Sequence, residues 1–393
     1  FTALDKHLKK FHSLQGDDSS FIDLAFSKKK ADDRKDWLQQ YVPGTRLEPT
    51  LIEIPISEFI NKELILFSMA DNVRSIPSVL DGFKPGQRKV LYGCFKRNLR
   101  GEIKVASLAG YVSENTGYHH GEQSLVQTII GLAQNFIGSN NLNILKPIGA
   151  FGTRAAGGKD SSAARYIFTG VNEITRIIFN PLDNPIYTYV QDDEKTVEPE
   201  WYLPVLPMLL VNGTEGIGTG WSTNIPPYNP IDIISNIRKL MAGDELTPMH
   251  PWFRGWEGEL EKNGDRFKVF GRINQIDETT LEITELPIKL WTNNMKEFLL
   301  LALGNEKVKP WIKDFEEHHS LTIRFVVKLS SEEMTKALKV GLLEKFRLVQ
   351  SLSISNMVAF DPLGRIKRYD SPEDILKDFY YVRMEYYQRR KDH

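Results

Sequence analysis

Between Pro85 and Thr169 the sequence passes from helical periodicity to a run of glycines and then to a strand, and this order restricts the possible folds more than any other feature. A helix is predicted after Pro85-Gly86, with Val90, Leu91, Cys94 and Phe95 facing inward and Arg88, Lys89, Lys96 and Arg97 left outside. From about Glu122, the residues Leu125, Ile129, Leu132 and Phe136 recur at i, i+4, i+7 and i+11, the stripe of a core-facing helix. An earlier helix is expected from Ser57, read as its N-cap, with Glu58 in the first turn and Phe59, Ile60, Leu64, Ile65 and Phe67 on one broad face. The glycine-rich stretch Gly149 to Gly158 then leads to the strand-like Arg165-Tyr166-Ile167-Phe168-Thr169. Three modest helices, a glycine loop and a strand predict a helix-turn-helix core with a β-wing, that is, a winged helix.

Texture divides the rest of the chain. Residues 1–54 are polar and charge-rich, with basic runs at Lys28-Lys29-Lys30 and Arg34-Lys35, and read as the end of a domain followed by a linker. Residues 55–206 hold the winged-helix pattern. Residues 207–369 alternate short β-branched runs, such as Leu281 to Thr284 and Leu321 to Val327, with helical stretches near Ile231 to Leu240 and Met334 to Leu343. They predict a separate α+β domain. In residues 370–393, Ser371 as N-cap, Pro372 at the first helical position and the acidic Glu373 and Asp374 start a helix whose Ile375, Phe379, Val382 and Tyr386 repeat at coiled-coil-like spacing. The expected fold is therefore a multidomain α+β protein. With no initiating Met at Phe1 and no cap closing the last helix, a longer parent chain is expected.

Several chemistries are excluded by spacing. The single cysteine, Cys94, rules out a disulfide framework and a thiolate zinc site, and fits a reducing compartment. No apolar run approaches the length of a membrane span. Gly157-Gly158-Lys159-Asp160 resembles the end of a phosphate loop, but Thr153 stands where a glycine is needed and Asp160 where a Ser or Thr should hold magnesium. His119-His120 cannot place two ligands on one helix face, and no third ligand follows at a recognisable spacing. Two neutral histidines at a helix N-terminus are the simpler reading.

A nucleic-acid role has to come from local charge, since the net charge is only -1. Between Arg74 and Lys104 eight basic residues face two acidic ones, Asp81 and Glu102; taken alone, such a run is as often a solvated helix face. Tyr166 taken alone would be a strand tyrosine. A tyrosyl phenol has a pKa of about 10, so as a nucleophile toward phosphorus it needs cationic neighbours, and Arg165 is adjacent.

Ser75-Ile76-Pro77-Ser78-Val79-Leu80-Asp81-Gly82-Phe83-Lys84-Pro85-Gly86-Gln87-Arg88-Lys89-Val90, Tyr118-His119-His120-Gly121-Glu122, Gly149-Ala150-Phe151-Gly152-Thr153-Arg154, Ala164-Arg165-Tyr166-Ile167 and Glu198-Pro199-Glu200-Trp201-Tyr202 closely resemble the eukaryotic type IIA topoisomerases. The bacterial GyrA-type chain of gyrase shares a sparser version. The resemblance covers essentially the whole chain. It implies that Tyr166 attacks a DNA phosphodiester to give a 5′-phosphotyrosyl link, that Arg165 stabilises the transition state and that His120 approaches the scissile phosphate. It further implies DNA contacts by Arg74, Lys84, Tyr118, Arg34 and Lys35, and labels residues 207–369 the tower domain. Ile217, in Glu215-Gly216-Ile217-Gly218-Thr219-Gly220, would be a buried anchor on its own pattern, whereas the resemblance makes it a wedge between base pairs. Trp291 matches another DNA-touching position, with a core role as the alternative.

The family's metal-binding Toprim domain carries Glu-Gly-Asp and Asp-x-Asp motifs, and neither occurs in this sequence; the first 50 residues resemble only the segment that follows them, which implies that residues 1–54 are the C-terminal end of the Toprim region and a linker. No residue here is therefore expected to bind metal or nucleotide; Mg2+ and ATP are expected in the full-length enzyme, which would act as a nuclear homodimer on double-stranded DNA. The competing reading is a non-enzymatic winged-helix DNA-binding protein.

Overall fold

The computed structural model describes residues 8–393. It is a mixed α/β molecule, mostly helical up to Ala133 and richer in small antiparallel sheets beyond. The largest buried cluster is built on the helices Pro85–Lys96, Val105–Asn115 and Glu122–Ala133, which pack on one another.

Pro85 at the first helical position fixes φ where no donor is needed, and Gln87 Oε1 accepts from Lys84 N at 2.9 Å, which starts the first of these helices. Val90, Leu91 and Cys94 are buried, as the pattern requires, while Phe95 is only half-buried. Two of the four expected outward cations are drawn inward instead. Arg88 is buried, with Nε and Nη2 donating to Asp81 at 2.7 and 3.1 Å, and Lys89 Nζ lies 2.8 Å from Glu198. Burying a guanidinium is costly unless it is paired, and Asp81 and the Phe83 carbonyl accept from its Nε and Nη2. Lys96 and Arg97 remain exposed.

The helix at 122 ends a turn earlier than expected. Gln134 leaves helical geometry, and its Nε2 donates to the carbonyls of Phe151 and Gly158 at 2.9 and 3.2 Å. Phe136 consequently falls outside the helix and meets Trp291 edge-on at 5.9 Å. The Val105–Asn115 helix is an addition to the expected set. Its signal was present: Val105, Leu108, Ala109 and Val112 stand at i, i+3, i+4 and i+7, and all four are buried.

The strand expected over residues 165–169 shrinks to Phe168–Thr169, paired antiparallel with Ile103–Lys104. Its partner is only two residues long, so Arg165 and Tyr166 are left in a turn. The expected helix from Ser57 begins at Ile56, with Pro55 in the cap position, and runs through a π-turn at Ile60–Leu64 into Ile65–Ser75. The extra residue of a π-turn shifts the inward face. Ile60 and Ile65 are buried, whereas Phe67 is 60% exposed.

A second cluster fills a four-stranded antiparallel sheet in the order Arg272–Gln275, Thr280–Glu285, Phe325–Lys328 and Asp314–Glu317. The helices Thr292–Ala302 and Ser331–Val340 cover it through Met295, Leu299, Met334 and Ala337. The final helix, Pro372–Asp392, is capped as expected, with Ser371 Oγ accepting from Asp374 N at 3.2 Å. Its Ile375, Leu376, Phe379 and Tyr386 join the large cluster, which also takes Met208 to Val211, Met357 and Tyr369, so one core draws on residues either side of 206/207 and of 369/370.

Candidate nucleic-acid cleft and active site

The Pro85–Lys96 and Glu122–Ala133 helices, with the end of the Ile65–Ser75 helix, leave a cleft of about 810 Å³, lined by Arg74, Lys84, Lys89, Tyr118, His119 and His120 among others. Four residues singled out from the sequence, Arg74, Lys84, Tyr118 and His120, thus share one surface although 46 positions separate the first from the last. Arg74 sits at the end of the Ile65–Ser75 helix, exposed, over the Phe67 ring at 5.7 Å. Tyr118 and His120 meet edge-on at 5.4 Å just before the Glu122–Ala133 helix. His119 also lines the cleft and faces Asp192 on the same surface, 3.5 Å from its Nε2.

Lys84 is held to the hairpin at Thr214–Ile225. Its Nζ donates to the Glu215 carbonyl at 2.5 Å, and burial pushes the ammonium below its ordinary pKa, an effect the Glu215 carboxylate partly opposes. The opposite wall went unread in the sequence. Ser124, Gln127, Thr128 and Gly131 line the cleft from the Glu122–Ala133 helix, at i, i+3, i+4 and i+7, which is the polar stripe complementary to Leu125, Ile129 and Leu132.

Tyr166 projects from the turn at residues 163–166 and is 67% exposed. The turn is held from below: Tyr166 N donates to Ala163 O at 2.9 Å, Ala106 N to Ala164 O at 3.1 Å, and Val105 N to Ile167 O at 3.0 Å. Ile167 is buried against Gly149, where a Cβ would come within 3.1 Å of its side chain. Arg165 lies over the Tyr166 ring with its guanidinium carbon 4.9 Å from the centroid. A hydroxyl on a rigidly backed, exposed turn beside a permanent cation can attack an incoming electrophile whose charge that cation then stabilises. Tyr166 does not line the cleft itself.

Ile217 ends one strand of the hairpin Thr214–Ile217 and Ser222–Ile225 and is 85% exposed, which removes the buried-anchor alternative. Trp291 is half-buried, its ring against Phe136 and the backbone of Gly138 and Gly157. Arg34 spends its Nη1 on the carbonyls of Leu24 and Ser27, both at 2.8 Å, while Lys35 lies over Trp221 of the hairpin at 5.1 Å and bonds Asp32 at 2.7 Å. Among the described residues, no three His, Cys, Asp or Glu side chains come together as a metal site, and no helix is long and apolar enough to cross a membrane.

Residues 74–393 match the family model for DNA gyrase/topoisomerase IV A subunits, and residues 1–72 match the C-terminal associated domain of TOPRIM. The chain belongs to the DNA gyrase/topoisomerase IV family. It is 74% identical to DNA topoisomerase 2 of Candida albicans and 47% identical to DNA topoisomerase 2-alpha of Homo sapiens, each match covering 100% of this chain and 27% of the relative. It therefore spans about a quarter of the length of the curated relatives it matches. A crystal structure of the Plasmodium falciparum topoisomerase II DNA-binding, cleavage and re-ligation domain is similar with a TM-score of 0.89 and 48% identity, over all of this chain and 54% of that one. Membership of this family accounts for the motifs that carried the resemblance, from Ser75 to Tyr202.

Proposed function

We propose that the chain is the DNA-breaking and rejoining part of a type II topoisomerase, with Tyr166 as the nucleophile. The observation that carries this reading is an exposed tyrosine under Arg165 on the same helical unit as a cleft lined by Arg74, Lys84 and His120. The Tyr166 Oη forms a bond to a backbone phosphorus as the bond from that phosphorus to the 3′ oxygen breaks, leaving a 5′-phosphotyrosyl link and a free 3′ hydroxyl. Reversal rejoins the strand, because the link conserves the energy of the phosphodiester. Arg165 stabilises the charge gathered on the phosphate in the transition state, and His120 approaches the scissile phosphate.

The three-helix unit and its strand pair act as a winged helix on DNA, with Arg74, Lys84 and Tyr118 holding the backbone. Ile217 is the wedge that unstacks a base step and bends the duplex, and Trp291 and Lys35 lie on the same DNA path. Arg34 spends only Nη1 on the Leu24 and Ser27 carbonyls, which leaves Nε and Nη2 for a phosphate, so it joins Lys35 on that path. The described residues do not fit a metal site on their own. In the full-length enzyme Mg2+ would supply Lewis-acid chemistry and ATP would power the passage of a second duplex. Two copies cut the two strands, in the nucleus.

Tyr166→Phe in the full-length protein should abolish protein that stays on DNA after denaturation, with duplex affinity nearly unchanged. Undiminished covalent complex in that variant would sink the assignment, and no covalent complex from the unaltered protein would favour a non-enzymatic winged-helix binder.

A further inference from the structure

An apolar side chain that stands in solvent does not hold its own position, so the fixed point for Ile217 must lie elsewhere in the hairpin. Beyond the last strand pair the chain turns through Gly218 to Trp221, closed by Gly218 N donating to Trp221 O at 2.9 Å. That turn is tied to the last turns of the Ile65–Ser75 helix. Asn72, 1% exposed, gives both ends of its amide to one residue: Nδ2 donates to Thr219 O and Thr219 N donates to Oδ1, each at 3.0 Å. A neighbouring β-strand would engage Thr219 in the same two-bond manner; here a single side chain does it.

The sequence makes room for this contact. A Cβ on Gly218 would fall 2.2 Å from Asn72 Oδ1, and one on Gly216 would fall 2.0 Å from Ser75 O, so only glycines let the hairpin approach the helix this closely. The same helical turn reaches the cleft. Thr219 Oγ1 donates to Asp71 Oδ2 at 2.9 Å, and Asp71 Oδ1 lies 3.7 Å from Arg74 Nη2.

We propose that Asn72 is a positioning residue that presents Ile217 to DNA, clamping the hairpin tip to the helix that carries Arg74 so that cleft and wedge approach the duplex as one body. This rests on the reading of Ile217 as a wedge. Asn72 touches no DNA in this account and acts only through Thr219 and the turn.

Asn72→Asp keeps the size of the side chain and the acceptor for Thr219 N, but removes the donor and sets a carboxylate against the Thr219 carbonyl. In the full-length protein, the bend of a short duplex measured by fluorescence transfer should fall to that seen with Ile217→Ala. The yield of covalent complex should fall about tenfold, equivalent to ~1.4 kcal/mol, with little change in duplex affinity. Combined with Ile217→Ala, the Asn72→Asp change should straighten the duplex no further, because a residue that acts only through Ile217 has nothing left to position. Gly218→Ala presses on Asn72 Oδ1 from the other side; it should give the same loss of bend and replaces Asn72→Asp if that variant does not fold. A normal bend with Asn72→Asp or Gly218→Ala, beside a straightened duplex with Ile217→Ala, overturns the inference and leaves the wedge intact. An additional loss of bend in the double variant also overturns it. An unchanged bend with Ile217→Ala alone removes the wedge reading, and the inference falls with it.

Discussion

Beneath the cleft, charge is buried in pairs, whereas the region from Glu259 to Ser353 keeps most of its charge at the surface. Asp81 and Asp183 are wholly buried. Asp81 accepts from Arg88 Nε and Nη2 and from the backbone N–H groups of Phe83 and Tyr202; Asp183 accepts from Arg383 Nη1 and Nη2 at 2.9 and 3.0 Å and from Arg390 at 3.3 Å. In the other region Lys336 meets Glu332 and Glu333 on the same exposed helix face, and His318 meets Glu316 in solvent. The difference lies in reach as well as burial. The Asp183–Arg383 pair joins positions 200 residues apart and bolts the Pro372–Asp392 helix to the unit that carries the cleft, while the Lys336 and His318 pairs tie residues only two to four positions apart. A buried pair costs desolvation and stabilises little by itself; what it secures is one arrangement, since any other leaves a bare charge in the core.

The strongest test is to remove one partner. Asp183→Ala should lose about 3–5 kcal/mol of unfolding free energy, because Arg383 is left buried with only the Leu203 carbonyl as partner. Urea denaturation measures this, and a loss below about 1 kcal/mol would put Asp183 with the surface pairs.

Lys84 stands between the two classes, a part-buried cation whose direct partner is a backbone carbonyl. Burial lowers its pKa, so the folded protein gives up this proton at a lower pH than the unfolded chain, whose value is 10.5. The penalty for burying the charge is present in full below the folded value and gone above 10.5, so the Lys84 contribution to stability rises across that window. Phosphate contact runs the other way, since it needs the proton. Duplex affinity measured by anisotropy should therefore fall in this window more for the native protein than for Lys84→Arg, whose guanidinium stays charged. Superimposable pH curves for the two proteins would show that Lys84 holds no phosphate.

The smallest effect is expected at Lys336. Replacing it with Ala should change the thermal unfolding free energy by no more than about 0.5 kcal/mol, because both of its ion pairs lie on an exposed face and are screened. A loss several times larger would mean that surface pairs in the Glu259 to Ser353 region carry structure after all.

The parts legible in the sequence were those governed by neighbours a few residues away. Pro85 at a helix start, Ser371 as a cap and the Leu125, Ile129, Leu132 stripe all behave as local rules require. Arg88 misled because its exposure depends on Asp81, which is itself organised by the backbone of Tyr202, 121 positions downstream. The strand at 165–169 was cut short by the length of a partner at Ile103–Lys104 that no local pattern announces. At Ile217 the flanking glycines signalled a tight turn but not whether it entered the core or left it.

Residue type and short spacing were enough to specify the helices with clear stripes and caps, the mixed α/β texture and, through the motifs, the family. Packing in three dimensions was needed to bring Arg74, Lys84, Tyr118 and His120 into one cleft, to put Tyr166 on a turn rather than along a strand, and to join Asn72 to the hairpin that carries Ile217. Those relations link segments tens to more than a hundred residues apart, and whether a given side chain is buried, paired or exposed follows from which segments pack together, a property that periodicity along one stretch of chain does not contain.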